Sequence, residues 1–202
     1  RISTSAQASA LVTVNYSGSD WSNARTGVDL SGNTTINLLA GRVNFTDLRL
    51  SGKAGNYNLN FVFDSGAISV SQQVNVVAGI SQELSIIEQP QDVVAGENFA
   101  DDIAVEFLDA YDNRVIRLTQ SATVVARLQH ASTSNYVSLS SEFGATQGVV
   151  TFSGLIFTSA GDRKIQFETG PYSTETGVQS ITSNTFTISH AAASSISWVV
   201  LG

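Results

Sequence analysis

The sequence predicts an all-β protein built from tandem antiparallel β-sandwiches, and three observations lead to this prediction. Apolar residues alternate with polar residues over short runs throughout the chain, which is the pattern of half-buried antiparallel strands. Gly, Asn, Asp and Ser separate these runs, and no amphipathic helix of useful length interrupts them. The segment GRVNFTDLRL at residues 41–50 returns as GVVTFSGLIF at residues 148–157, so part of the chain is repeated.

The repeat extends outward from these two segments. Further pairs of segments align at a spacing of 112 residues: Ser9-Ala10 with Ser121-Ala122, 74–76 with 186–188, and 84–86 with 196–198. A domain-sized period in a chain of 202 residues favours two domains over one. We therefore expect a sandwich that lacks its first strands over residues 1–79, a complete sandwich over 80–190, and the first strand of a further repeat over 191–202.

The second copy contains about seven strand candidates, which are 83–88, 103–108, 122–129, 135–140, 148–153, 163–168 and 183–189. About seven short strands separated by turns within about 100 residues are the sequence signature of an immunoglobulin-like sandwich. Pro90 is expected to end the first strand, because proline cannot donate a ladder hydrogen bond. Gly96 and Gly161 are expected at turns that require conformations a Cβ disfavours.

The first copy begins at the equivalent of residue 113, so we expect it to lack the first two strands of the pattern. Its own strand candidates lie around alternating apolar residues at 11–16, 43–45, 48–50 and 57–63. A sandwich without two strands exposes apolar core and an unpaired edge. Two explanations stay open: the given sequence is a piece of a longer array, or another molecule supplies the missing strand.

The residues that suggest a family lie in order along the second copy: 84–90, Ala95-Gly96, 103–115, 148–155, Ala160-Gly161 and 186–188. In this order and spacing, residues 82–190 resemble the tandem bacterial-type immunoglobulin-like repeats of large extracellular surface proteins, such as those of invasin-like adhesins. The first copy matches only the later half of the pattern. The resemblance implies repeats that serve as stalks, spacers or adhesive modules, and similar arrays occur in algal and other protist extracellular proteins.

Composition excludes several classes of function. The net charge is −7 and the ten Lys and Arg residues are never clustered, so we expect no nucleic-acid partner. Cysteine is absent, which excludes disulfides, thiolate metal sites and thiol catalysis. No run of about 18 apolar residues is present, so we expect no membrane span, and without a G-x-S-x-G motif or convergent histidines we expect no enzyme.

The surface must be made soluble mainly by neutral hydroxyls and amides, because only 13% of the residues are charged. Such surfaces are common in secreted β-proteins, so we expect an extracellular or cell-surface location. Methionine is absent as well, and we expect Arg1 to follow residues of a longer gene product.

One loop is rich in oxygen ligands. Asp109, Asp112 and Asn113 are weak calcium candidates, because calcium takes six to eight oxygen ligands and would suit a stiff stalk. The alternative is a turn in which Asp and Asn side chains bond nearby backbone amides. No other cofactor is expected.

Three glycosylation sequons lie in the first copy, at Asn15, Asn33 and Asn44. Alternation directs Asn15 and Asn44 away from their apolar neighbours and toward solvent. The alternative is chance, since Asn, Ser and Thr are abundant in this chain.

The leading interpretation is a non-enzymatic structural module of an extracellular fibre, appendage, surface layer or adhesin stalk. Ile196, Trp198 and Val200 form the candidate assembly strand, which aligns with the strand at 83–88 and would complete the first sandwich of another copy as donor-strand pairing does. The alternative is an adhesin module in which exposed loops, with Trp21 as the contact residue, bind glycan or a surface receptor. A third interpretation is an accessory domain of a secreted glycoside hydrolase.

Overall fold

The computed structural model describes residues 9–16, 27–40, 42–63, 68–118, 121–130 and 136–192. Within these ranges the regular elements are all strands, and the chain folds into two compact units. The first unit holds residues 1–79 together with Tyr111–Asn113, and the second holds residues 80–110 and 114–202. The predicted fold class is confirmed: the protein is all-β, with an immunoglobulin-like β-sandwich fold.

The first unit contains six of the described strands: β1 (Ser9–Tyr16), β2 (Val28–Ser31), β3 (Thr35–Asn37), β4 (Arg49–Gly52), β5 (Gly55–Phe63) and β6 (Ile68–Val76). One antiparallel sheet has the order β3-β1-β5-β6, and a two-stranded sheet pairs β2 with β4. Tyr57 and Leu59 on β5 are buried, whereas Phe61 and Phe63 farther along the same strand are half-buried. The core of this unit is therefore closed at one end of β5 and open toward the other.

The second unit contains the other described strands: β7 (Glu83–Glu88), β8 (Val93–Val94), β9 (Ile103–Leu108), β10 (Thr123–His130), β11 (Tyr136–Gly144), β12 (Val149–Phe152), β13 (Gly161–Thr169), β14 (Ile181–Thr182) and β15 (Phe186–Ser189). One sheet has the order β11-β10-β13-β15-β8, with β14 paired to β13, and the other has the order β12-β9-β7. The strand β8 pairs in parallel with β15, and the remaining strand pairs in this unit are antiparallel.

Strand β9 supplies the apolar face that closes the core of the second unit. Ile103, Val105 and Phe107 alternate along it and are at most 1% exposed. Across the sandwich, Phe167 on β13 is fully buried, and its ring lies 5.0 Å from the ring of Phe152. The alternation that predicted half-buried strands thus places a continuous apolar layer between the two sheets.

The two units share their strand registers. Along β1 and β5, seven pairs run from Ala10 opposite Phe63 to Tyr16 opposite Tyr57. Along β10 and β13, seven pairs run from Val124 opposite Thr169 to His130 opposite Arg163. Two further strand pairs correspond in the same way. Ser9 lies opposite Asn37 in β1 and β3, as Thr123 lies opposite Gly144 in β10 and β11. Gly55 lies opposite Val76 in β5 and β6, as Gly161 lies opposite Ile188 in β13 and β15.

A tight turn recurs at corresponding positions of the two units. In the first unit the backbone groups of Leu39 and Arg42 exchange hydrogen bonds of 2.9 and 3.0 Å, and in the second unit Thr146 and Val149 exchange bonds of 2.7 and 3.0 Å. The second turn passes through Gln147 and Gly148, whose φ angles are 49° and 78°. Glycine is required at 148 because an added Cβ would lie 2.7 Å from the carbonyl oxygen of Val115.

Near the start of β5 and of β13, a side chain donates a hydrogen bond to the backbone carbonyl oxygen four residues upstream. The donor is a tyrosine hydroxyl in the first unit and an arginine guanidinium in the second. The Tyr57 hydroxyl donates a 2.7 Å hydrogen bond to the carbonyl oxygen of Lys53, four residues upstream. This is the arrangement of the tyrosine corner of immunoglobulin-like folds. At the corresponding place in β13, the Arg163 guanidinium donates to the carbonyl oxygens of Ser159 and Ala160, at 3.3 and 3.0 Å.

Most strand boundaries in the second unit were predicted within a few residues, and β7 and β9 coincide with the predicted ranges. The two-residue strands β8 and β14 were not predicted. The strand expected around Val43 and Phe45 is wrong, because residues 43–46 form no ladder with the other described residues. Their counterpart in the second unit, β12, is a strand because it pairs with β9.

Replacing Phe167 by Ala is expected to destabilise the second unit by about 3–5 kcal/mol, because loss of a fully buried ring leaves a cavity in the core. The matched change in the first unit, Phe61→Ala, is expected to cost less, because that ring is only half-buried. Chemical denaturation followed by circular dichroism measures the change in free energy of unfolding for both variants. Equal losses would contradict the difference in packing between the units.

Replacing Tyr57 by Phe is expected to destabilise the first unit by about 1 kcal/mol, because the change removes the hydroxyl that bonds the Lys53 carbonyl and keeps the buried ring. Tyr172→Phe is the matched control, since Tyr172 is 86% exposed, and no change is expected there. Denaturation curves of the two variants make the comparison. A Tyr57→Phe chain as stable as the native one would show that the corner bond contributes nothing.

Candidate binding cleft of the first unit

An apolar cleft lies beside the open end of β5 in the first unit. Its volume is about 330 Å³, and it is lined by Leu38, Val43, Phe61, Val62, Phe63, Ile68 and Val70. We call this feature the β5 cleft. Every residue that lines it is apolar, so its surface offers van der Waals contact and burial rather than hydrogen bonds from side chains.

Several residues around the β5 cleft are exposed although they are large and apolar. Ile68 and Val70 on β6 are 59% and 63% exposed, and Val43 is 37% exposed. The rings of Phe45 and Phe61 lie 5.5 Å apart, so Phe45 continues the apolar surface from the segment that carries Val43. Contiguous exposed apolar surface of this kind marks an interaction site more often than scattered single residues do.

In the second unit, the residues that correspond to Phe61 and Val43 of the β5 cleft are buried. The register of β5 and β13 places Phe61 where Phe167 lies, and the sequence repeat aligns Val43 with Val150; both of these counterparts are fully buried. Val150 lies opposite Val105 of β9 in the sheet. The β5 cleft therefore occupies the place that β9 and its side chains fill in the second unit.

The loop proposed for calcium is already engaged in hydrogen bonds. The Asn113 side-chain oxygen accepts a 2.9 Å bond from the Ala54 amide, and its side-chain nitrogen donates a 3.0 Å bond to the Gly52 carbonyl oxygen. Lys53 donates to the backbone carbonyl oxygen of Asp112, whose φ of 55° is that of a left-handed turn residue. Asp109 is buried in the second unit.

These bonds join the Asn113 side chain to backbone groups 59 and 61 residues away in the chain, whereas the turn interpretation concerns bonds within the loop itself. Among the residues described, no group of three or more His, Asp or Glu side chains is placed to hold a metal ion. The described ranges also contain no helix long and apolar enough to cross a membrane.

The other predicted site residues are placed as follows. Asn33 and Asn44 are exposed, and the Asn33 amide donates a 3.1 Å bond to the Asp47 carboxylate. Asn15 lies in β1, and its side chain is outside the described part, as are Trp21 and the strand residues Ile196, Trp198 and Val200. The β5 cleft itself was not named from the sequence, although the predicted absence of two strands pointed to exposed core in this copy.

No protein-family model and no curated protein sequence matches the chain. Among solved structures, a β-glycosidase from Bacteroides vulgatus aligns at 10% identity and a TM-score of 0.39, over 89% of this chain and 25% of that chain. This chain thus spans about a quarter of the glycosidase.

Two chimeric titin structures also align with the chain. The titin Z1Z2-Z1Z2 tandem functionalised with a GRGDS peptide from fibronectin aligns at 11% identity and a TM-score of 0.29, over 91% of this chain and 85% of that chain. The titin Z1Z2 functionalised with a KLER peptide from decorin aligns at 12% identity and a TM-score of 0.28, over 92% and 83%. These similarities carry no argument about activity.

Replacing Asn113 by Ala is expected to destabilise the first unit by about 1–3 kcal/mol, because the Ala54 amide and the Gly52 carbonyl lose their partner. The loss is expected to be the same in excess calcium and in excess chelator. Urea denaturation under both conditions measures it, with the exposed Asn44→Ala as the control. Stabilisation of the native chain by calcium that disappears in Asn113→Ala would instead support the metal site.

Proposed function

We propose that this chain is a structural module of an extracellular repeat-built fibre, appendage, surface layer or adhesin stalk, in which tandem sandwiches set length and carry load. We further propose that copies assemble head to tail by strand complementation. Other copies of the same chain or neighbouring repeats are its partners in this proposal, and no catalysis is involved.

The observation that carries the proposal is the shared register of the two units. Seven consecutive pairs between β1 and β5 correspond to seven pairs between β10 and β13, with β1 and β10 offset by 114 residues and β5 and β13 by 106; the first offset is two residues longer than the 112 by which Ser9-Ala10 and Ser121-Ala122 align in the sequence. Registers that agree over several strand pairs favour two copies of one module, since a one-residue slip would move every core side chain to the other face. Tandem copies of one module are the usual way to build an extended array.

The architecture suits a mechanical role. The longest described ladders are antiparallel: β5 and β6 pair over nine residues, and β1 with β5 and β10 with β13 each pair over seven. The outer faces of β5 and β6 are joined by neutral side-chain bonds, such as the 2.7 Å bond from Asn75 to Asn56 and a short bond from Ser71 to Asn60. Such a surface stays soluble without clustered charge, which favours stacking of many identical modules.

The open core of the first unit supports head-to-tail assembly. A module whose apolar surface is covered by the next module repeats the same contact at every step, and a contact that does not close on itself produces a linear array. Apolar burial then provides the driving force, so the assembly should not depend on ion pairs.

The native chain is expected to associate as its concentration is raised, and to form linear particles rather than closed rings. Sedimentation velocity over a concentration series measures the association, and negative-stain electron microscopy shows the shape. Because the β5 cleft is apolar, raising the salt concentration is expected not to weaken association. A single species of 21.3 kDa at every concentration would contradict the proposal.

A further inference from the structure

The second unit provides a template for what covers the β5 cleft. There, β9 lies antiparallel to β12, with Val105 opposite Val150 and Ile103 opposite Phe152. All four of these residues are at most 2% exposed. In the first unit, Val43 and Phe45 stand at the positions of Val150 and Phe152, so the strand that fits here carries large apolar side chains at alternate positions.

The backbone of residues 43–46, beside the cleft, is placed in the chain as that of β12 is, which pairs with β9. Residues 43–46 follow the turn between Leu39 and Arg42, as β12 follows the turn between Thr146 and Val149. The counterpart strand β12 forms its ladder with β9 alone. Among the residues described, the segment 43–46 has no ladder partner, and an added strand would pair with its backbone as β9 pairs with that of β12.

The chain itself contains a segment with the required pattern. Ile196, Trp198 and Val200 alternate in the sequence ISWVV, as Ile103, Val105 and Phe107 alternate in IAVEF of β9. The described structure ends at residue 192, and the ten residues 193–202 are long enough in extended form to cross a four-residue ladder. Large apolar side chains at these three positions match a cleft lined entirely by apolar residues.

This placement revises the alignment, which equates residues 196–198 with 84–86 of β7. In the second unit β7 forms its ladder with β9 and none with β12. A donated strand in the place of β7 would therefore have no ladder partner in the first unit, whereas one in the place of β9 would pair directly with residues 43–46.

We propose that the β5 cleft is a strand-accepting site, and that its occupant is residues 196–200 of a second copy, antiparallel to residues 43–46. By the β9 template, Ile196 lies opposite Phe45 and Trp198 lies opposite Val43. The inference rests on the proposed head-to-tail assembly and specifies the surface and the strand that form it.

The test uses one variant on each side of the contact. Val43→Asp places a charge in the acceptor cleft, and Trp198→Asp removes the central side chain of the donor. Val43 is already 37% exposed, so the substitution is expected to leave the fold intact, which circular dichroism checks. The matched controls are Val77→Asp, at a position that is 72% exposed and outside the cleft, and Val199→Asp, which alternation directs to the opposite face of the donor strand.

Sedimentation velocity is expected to show that each of the two test variants associates at least about tenfold more weakly than the native chain, because a buried unpaired charge opposes docking. The controls are expected to associate like the native chain. A mixture of the two test variants is expected to form a complex of two chains and nothing larger, since one intact cleft and one intact donor remain.

A second measurement separates this inference from the proposed assembly. The synthetic peptide SSISWVVL, residues 194–201, is titrated into the Trp198→Asp chain, whose cleft is intact, and fluorescence anisotropy of the labelled peptide reports binding. Binding is expected, and loss of binding is expected in a chain that carries Val43→Asp as well. Val70→Asp, at a 63% exposed position that lines the cleft, is expected to weaken binding too.

The outcomes distinguish the two claims. Native association that survives Val43→Asp would overturn the strand-accepting cleft while leaving head-to-tail assembly in place. A native chain that stays monomeric would overturn the assembly and the second copy as donor. Failure of the peptide to bind, with a folded chain, would overturn the strand assignment itself.

Discussion

In each unit, the sheet that contains β5 or β13 has an apolar face that must be covered by other strands. How far it is covered decides the packing of the core and the exposure of the apolar side chains around it. In the second unit β9 covers it, and Val105 and Phe107 reach 0% exposure. This cover lets Phe152, Phe167 and their neighbours pack as a close-fitting aromatic cluster, with ring centroids about 5 Å apart. In the first unit the described strands cover only the end of β5 near Tyr57, and the exposure of Val43 and Val70 is the consequence.

The same constraint explains why one sequence motif has two structures. Residues 41–50 and 148–157 are similar in sequence, yet residues 43–46 form no ladder among the described residues whereas Val149–Phe152 form β12. A strand is stabilised by ladder partners and cross-strand side-chain pairs, not by its own residues alone. The tight turn before each segment depends only on local bonds, and it forms in both units. Local geometry thus repeats, while the ladder depends on whether β9 or its equivalent is present.

The sequence was sufficient where the structure depends on alternation and insufficient where it depends on contacts between distant segments. The three alternating apolar residues of β9 were enough to predict its bounds. The two-residue strands β8 and β14 carry too few residues for a period to be recognised, and they exist because β15 and β13 lie beside them. The β5 cleft was not predictable, because Phe61 and Val70 come together only through the pairing of β5 with β6, and Val43 reaches the cleft from a segment that has no ladder partner among the described residues. The hydrogen bonds that Tyr57 and Arg163 donate at the start of β5 and β13 were also not predicted, because the strand registers place these two unlike residues at equivalent positions.

The absence of charge along the segment proposed to accept a strand bears on specificity. Residues 43–46, VNFT, include no Lys, Arg, Asp or Glu, although edge strands in soluble proteins are commonly protected by charge. With no charge on the accepting segment, a proposed donor strand would be distinguished from other strands by how well its side chains fit the cleft. In a strand, a slip of one residue exchanges the two faces, so residues 196, 198 and 200 of the proposed donor would be replaced at the cleft by Ser195, Ser197 and Val199, or by Ser197, Val199 and Leu201 in the other direction. In the first of these slips Ser197 would take the place of Trp198, and the loss of a buried indole would favour the proposed register without any charged contact.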